Sequence, residues 1–143
     1  IWVSGRTDAA MKRAAKYGDG WLPYMYTPEH LANSIEKIKA FGEEVGTDLS
    51  DFTFALYIFS AVHEDNDTAV KYAADRLSKQ YAQDFSQLVH KYALAGDPDK
   101  CKARLQEYID AGASAVFVSS ACPDDYIDTN LEMLAKTVIP AFR

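Results

Sequence analysis

The sequence predicts an α/β fold in which a parallel sheet is flanked by helices, built as half of a (β/α)8 TIM barrel. Three observations carry this expectation. Strand-like apolar stretches alternate with amphipathic helical ones along the 143 residues. No hairpin turn joins two strands directly, so each strand returns through a helical crossover. The βα unit recurs four times, where a closed barrel has eight.

Taken in order, residues 1–4 form a short apolar strand. Thr7 then offers an N-cap oxygen, followed by the carboxylate of Asp8 in a first helical turn, where an acid complements the helix dipole. This helix runs to about Tyr17, with Gly18 expected in the left-handed C-terminal position before the turn at Asp19 and Gly20. Trp21 to Tyr24 is the second strand. Thr27 and Pro28 are a cap and first-position proline, and Leu31, Ile35, Ile38 and Val45 repeat at helical spacing until Gly46. Phe52 to Val62 has almost no polar interruption, as in a strand buried on both faces. Two helices follow, the first with Val70, Ala74, Leu77 and Tyr81 inward, and a break near Gln83; the second takes Phe85, Leu88 and Tyr92. Asp97 and Pro98 start another helix with a stripe of Cys101, Leu105, Tyr108 and Ile109, ended by Gly112. Ala115 to Ser119 is the fourth strand, and a last helix from Asp124 or Asp125 carries Ile127, Leu131, Leu134 and Val138 inward to Pro140.

Composition sets the outer limits. Hydrophobic residues are 48% and charged ones 25% of the chain, the balance of a soluble globular domain with a real core. The formal net charge is −6 and the longest basic run is Lys12 with Arg13, which argues against nucleic acid or an anionic membrane as partner. No apolar run nears the ~20 residues that span a bilayer, and no signal peptide is visible, so the expected location is cytoplasmic. Cys101 and Cys122 are far apart, without a CxxC spacing or clustered His, and read as free thiols; no metal site is expected. The polar run DNDTA at residues 65–69 lacks the glycine and closing Glu of a calcium loop and reads as a helix start.

Four ordered blocks resemble a known family: IWVSGRTDAAMKRAAKYGDGWLPY, TPEHLANSIEKIKAFGEEVGTDLSDFTFAL, LAGDPDKCKARLQEYIDAGASAVFVSS and LEMLAKTVIPAFR. Together they are similar to the C-terminal half of luciferase-like monooxygenases, the flavin- or deazaflavin (F420)-dependent enzymes of the bacterial-luciferase type. The resemblance implies that residues 1–143 are the C-terminal half of a (β/α)8 barrel, strands 5 to 8 with their helices, and that the N-terminal half is absent. It also implies an FMN or F420 cofactor and a small organic substrate.

Ligands of such barrels lie where strands end and helices begin, while the opposite turns serve stability. The Gly18-Asp19-Gly20 turn falls at the stability end. Ser4, Gly5, Arg6 and Thr7 fall at the ligand end, where free helix N–H groups, a glycine, a hydroxyl and an arginine fork suit a phosphate. By resemblance this is where the family binds its cofactor's phosphate. Ser4 stands where a glycine is commoner in the family, and Arg6 where small or polar residues are frequent. The plainer reading is that Thr7 only caps a helix and Arg6 is a surface side chain. Tyr24, Met25 and Tyr26 after the second strand, and Ser119, Ser120 and Ala121 after the fourth, are expected to face the barrel mouth, with Tyr24, Tyr26, Ser119 and Ser120 as substrate-binding candidates. His63 ends the third strand and reads as a loop histidine that could also serve as acid or base. No catalytic residue is assigned.

Two functions follow. One is a flavin- or F420-dependent oxidoreductase or monooxygenase in which the chain grips the cofactor. The other is an inactive half-barrel or self-associating module, since an isolated half exposes two strand edges and an apolar face. A homodimer is expected on the same ground.

Overall fold

The computed structural model describes residues 1–143. Its elements run β1 (Trp2–Val3), α1 (Asp8–Tyr17), β2 (Gly20–Trp21), α2 (Pro28–Val45), β3 (Thr53–Val62), α3 (Asn66–Tyr81), α4 (Val89–Tyr92), β4 (Ala93–Gly96), α5 (Pro98–Asp110), β5 (Ala115–Ser120) and α6 (Ile127–Met133), followed by π and 3-10 turns over Leu134–Val138 and Ile139–Phe142. The pairings β1–β2, β2–β3 and β3–β4 are parallel, and β5 also pairs with β3. The expected α/β class with a parallel sheet is thus borne out. No helix is long and apolar enough to cross a membrane.

The sheet has one strand more than the sequence suggests. Ala93–Gly96 has no β-branched or aromatic residue and follows directly on a helical turn, so propensity does not mark it. Its strand conformation comes from its partner: Ala93 to Gly96 stand in register with Phe59 to Val62.

The chain forms two compact units, Ile1–Tyr57 with Tyr108–Phe117, and Ile58–Glu107 with Val118–Arg143. In the first unit, Thr7 and Thr27 cap α1 and α2 as expected, accepting the N–H groups of Ala10 and His30 at 3.2 Å each. Leu31, Ile35 and Ile38 are buried. Val45 is not: it is the last residue of α2 and 47% exposed, while Gly42 continues the inward line against Leu49. Gly18 is also a correction. Its φ of −102° is extended rather than left-handed, and its N–H closes α1 on the Ala14 carbonyl at 2.9 Å. A Cβ there would lie 2.9 Å from that same oxygen, so space, not handedness, selects glycine.

In the second unit, Asp65 caps α3, accepting the Thr68 N–H at 2.9 Å and its hydroxyl at 2.6 Å. These hydrogen bonds hold the Asp65 carboxyl below its usual 3.8. The depressed value makes the cap fully effective above the unfolded carboxylate pKa and lost as pH falls through the folded one. Asp65→Ala is therefore expected to lower the melting temperature at pH 7, with the gap to wild type closing in acid, as a pH series of thermal melts would show.

The inward face of α3 is Ala69, Ala73 and Leu77, one residue out of phase with the expected Val70 and Ala74, and Tyr81 is 36% exposed. The expected break after α3 falls at Ala82, which takes a left-handed φ of 49°. In the last helical segment Leu131 is 46% exposed and Asn130 is fully buried in its place.

Both cysteines are free and buried. Burial, helped by Asp97, pushes the Cys101 thiol up to about 12. Burial also raises Cys122, against the opposing pull of Arg76. Since the thiolate is the reactive form, neither is expected to react with a disulfide reagent at about pH 8 in the native protein. Both are expected to titrate after unfolding.

Candidate functional site

The chain leaves β1 through Ser4 and turns at Gly5, whose φ is +123°. A Cβ at Gly5 would stand 2.6 Å from the Ala10 Cβ, so glycine is required by conformation and by space. The Trp21 indole N–H donates to the Gly5 carbonyl at 2.9 Å, pinning the turn to β2. Thr7 then opens α1. Helix geometry leaves the N–H groups of Asp8 and Ala9 outside the ladder, pointing out of the N-terminus. The Thr7 oxygen accepts from Ala10, so its capping role is realised, yet its own O–H remains a donor.

Arg6 is exposed, and its guanidinium carbon lies 5.9 Å from the centroid of the Tyr24 ring. Asp8 brings a negative charge to the same turn, but Lys37 pairs with it at 3.0 Å. The local balance is one uncommitted cation, two outward N–H groups and a hydroxyl, a donor set matched to a phosphate oxygen cluster.

Tyr24 and Tyr26 separate sharply. Tyr24 is 43% exposed beside Arg6. Tyr26 is buried: it packs edge to face on Trp21 at 5.4 Å, its hydroxyl meets the Ser34 hydroxyl at 3.4 Å, and its carbonyl accepts the Tyr108 hydroxyl at 2.7 Å. Met25 between them has a φ of 57°, and this left-handed step turns one tyrosine out and the other in. The Gly-Asp-Gly turn behaves as a connector, the Asp19 backbone receiving Thr53 and donating to Ile1 at 3.0 and 2.7 Å.

In the second unit, Ser119 and Ser120 end β5 half-buried. The Asn130 amide donates to the Ser120 hydroxyl at 3.0 Å, and the Ala121 N–H donates to the Ser60 carbonyl at 2.7 Å. His63 accepts the Asp65 N–H on Nδ1 at 2.9 Å and lies among Tyr72 and Tyr126, with centroids at 6.1 and 5.5 Å. Sequence reasoning passed over Asn130 and Tyr126. A polar residue in an inward stripe was the available sign for Asn130; nothing marked Tyr126, whose hydroxyl donates to the Val62 carbonyl at 3.1 Å.

This architecture has counterparts among solved structures. The coenzyme F420-dependent tetrahydromethanopterin reductase of Methanopyrus kandleri matches 99% of this chain with 50% of its own, at 20% identity and a TM-score of 0.75. An F420-dependent secondary alcohol dehydrogenase, in complex with an F420–acetone adduct, matches 99% with 48% of its own, at 24% identity and a TM-score of 0.78. The monooxygenase RslO1 of Streptomyces bottropensis matches 100% with 48% of its own, at 19% identity and a TM-score of 0.77. The chain thus spans about half the length of each, and its fold is that of half a TIM barrel. No curated protein matches it. The sequence profile of the luciferase-like monooxygenases matches residues 1–115, and the chain belongs to that family.

Proposed function

We propose that the chain is the cofactor-gripping, C-terminal half of a cytoplasmic flavin- or F420-dependent oxidoreductase acting on a small organic substrate. The observation that carries this reading is the Gly5 turn, locked by Trp21 and Ala10, which opens the α1 N-terminus beside Arg6. Ser4, Gly5, Arg6 and Thr7 would hold the phosphate of FMN or F420. When bound, the cofactor supplies hydride transfer or oxygen activation. The protein's own part is grip and orientation: N–H groups and Arg6 fix the phosphate, and the exposed Tyr24 face receives an aromatic ring or substrate. Tyr26, buried beneath, fixes the backbone that presents Tyr24. Ser119 and Ser120 offer hydroxyls to the substrate.

Fluorescence titration with FMN and with F420, each repeated with inorganic phosphate as competitor, tests the reading. Arg6→Glu is expected to weaken binding about tenfold or more, the scale of one charge-assisted hydrogen bond, with an unchanged melting temperature because Arg6 is exposed. If neither cofactor binds, or if phosphate fails to compete, the phosphate grip is wrong.

A further inference from the structure

In the second unit a cleft of about 370 Å³ lies between α3 and the segment after β5, within the ~300–1,000 Å³ typical of small-molecule sites. Its helical wall is Lys71, Tyr72, Asp75, Arg76 and Lys79, which successive turns of α3 bring to one flank. Cys122, Pro123 and Asp124 stand opposite. Both walls are held from behind. The Tyr72 ring meets Tyr126 edge to face at 5.2 Å, and the Ala121 N–H donates to the Ser60 carbonyl at 2.7 Å, fixing the chain just before Cys122. Three cations and two acids line the cleft, in a chain whose net charge is −6. Lys71 pairs with Asp75 at 2.6 Å, and Arg76 spans the cleft to Asp124 at 3.0 Å. Both pairs are exposed, and exposed pairs contribute little, so another acid can replace either carboxylate. Lys79 forms no ion pair at all. Burial raises the Cys122 thiol against the pull of Arg76, so it stays protonated and, with Tyr72 and Pro123, lines the cleft with apolar surface.

We propose that this cleft binds a small organic anion, whose carboxylate or phosphate meets Lys79 and Arg76 and whose apolar body lies against Tyr72, Cys122 and Pro123. Lys79 supplies an uncommitted charge. Arg76 supplies a planar fork with one nitrogen on Asp124, and its remaining N–H groups suit the paired oxygens of an incoming acid. A cation would meet the net positive charge of the cleft, and a bare inorganic anion would use none of its apolar lining. Helix α3 and the segment after β5 both follow the C-terminal ends of strands, the side on which barrels gather their ligands. The site is drawn wholly from the second unit and does not depend on the phosphate grip at Gly5.

Amide-resolved NMR titration of the 143-residue chain with benzoate, phenyl phosphate, neutral benzyl alcohol and inorganic phosphate provides the test. Benzoate or phenyl phosphate is expected to give saturable shifts at residues 71–79 and 122–124, weakened by salt, and the better of the two identifies the acid group. Benzyl alcohol and inorganic phosphate should bind several-fold more weakly. Lys79→Glu is expected to weaken binding about tenfold, the scale of one charge-assisted hydrogen bond, and Lys79→Gln to weaken it less. Lys79 is exposed and unpaired, so both variants should keep the wild-type spectrum away from the cleft. Asp124→Asn, which frees Arg76, is expected to tighten binding several-fold, an effect that a merely structural cleft would not show. The amides of Gly5 to Ala10 report the cofactor grip separately in the same spectra. No saturable shift at the cleft, equal binding of benzyl alcohol or of inorganic phosphate, or an unchanged affinity in Lys79→Glu overturns the proposal. Shifts confined to Gly5 to Ala10 overturn it too, and leave the cofactor reading standing.

Discussion

Replacing Gly5 by alanine is expected to lower the melting temperature by roughly 10 °C and to remove cofactor binding at temperatures where the variant is still folded. Two separate costs add. A non-glycine residue held at the φ of +123° is strained by about 1–3 kcal/mol. The new methyl would also lie 2.6 Å from the Ala10 Cβ, and overpacking of this kind costs about 1–3 kcal/mol. Neither is easily relieved. Ala10 is buried on the first turns of α1 and its Cβ has no torsion by which to move aside, while the Trp21 hydrogen bond holds the Gly5 carbonyl in place. The double variant Gly5→Ala with Ala10→Gly separates the costs. It regains the steric part, less the ~1 kcal/mol that glycine costs in a helix, and keeps the backbone strain. Thermal melts of the two variants and the wild type beside FMN titrations decide the matter: a Gly5→Ala protein with wild-type stability would show that the turn relaxes freely and is no rigid grip.

What the sequence made legible here was local. Thr7, Thr27 and Asp65 cap helices within three residues of themselves, and the strand–Gly–helix order around Gly5 is readable in six letters. What it hid was set by distant partners. Tyr24 and Tyr26 are two residues apart and of one type, and they differ because Trp21, Ser34 and Tyr108 enclose the second. Tyr108 is 82 positions away. Strand β4 is likewise a consequence of its register with β3. The phase of α3 follows from Ala69 and Ala73 being small enough to sit flush on their neighbours, where an apolarity count prefers Val70. Asn130 stands at the extreme of this class: polar, in an apolar stripe, and fully buried.

Asn130→Ala is expected to cost about 3–5 kcal/mol, a loss in the range of a broken buried network, visible as a lower urea midpoint with the slope unchanged. The Asn130 Oδ1 accepts the buried Val62 N–H at 2.7 Å, and its Nδ2 reaches the Ser60 carbonyl and hydroxyl at 3.4 and 3.3 Å and the Ser120 hydroxyl at 3.0 Å. One side chain on α6 therefore satisfies both β3 and β5, and its removal leaves the Val62 N–H without an acceptor where water does not reach. Asn130→Asp discriminates between loss of shape and loss of hydrogen bonding, because it keeps the shape. Its oxygen still accepts from Val62, but the atom facing the Ser60 carbonyl is now an acceptor unless protonated. Burial disfavours the carboxylate, so the folded-state pKa is raised above the unfolded value of about 3.9. Stability of Asn130→Asp should then be fully present below that unfolded value and decline as pH rises through the folded one, while Asn130→Ala shows no such slope relative to wild type. If the two variants instead lose the same stability at every pH, the network is not what ties α6 to the strand ends that carry Ser119, Ser120 and His63, and packing alone must hold them.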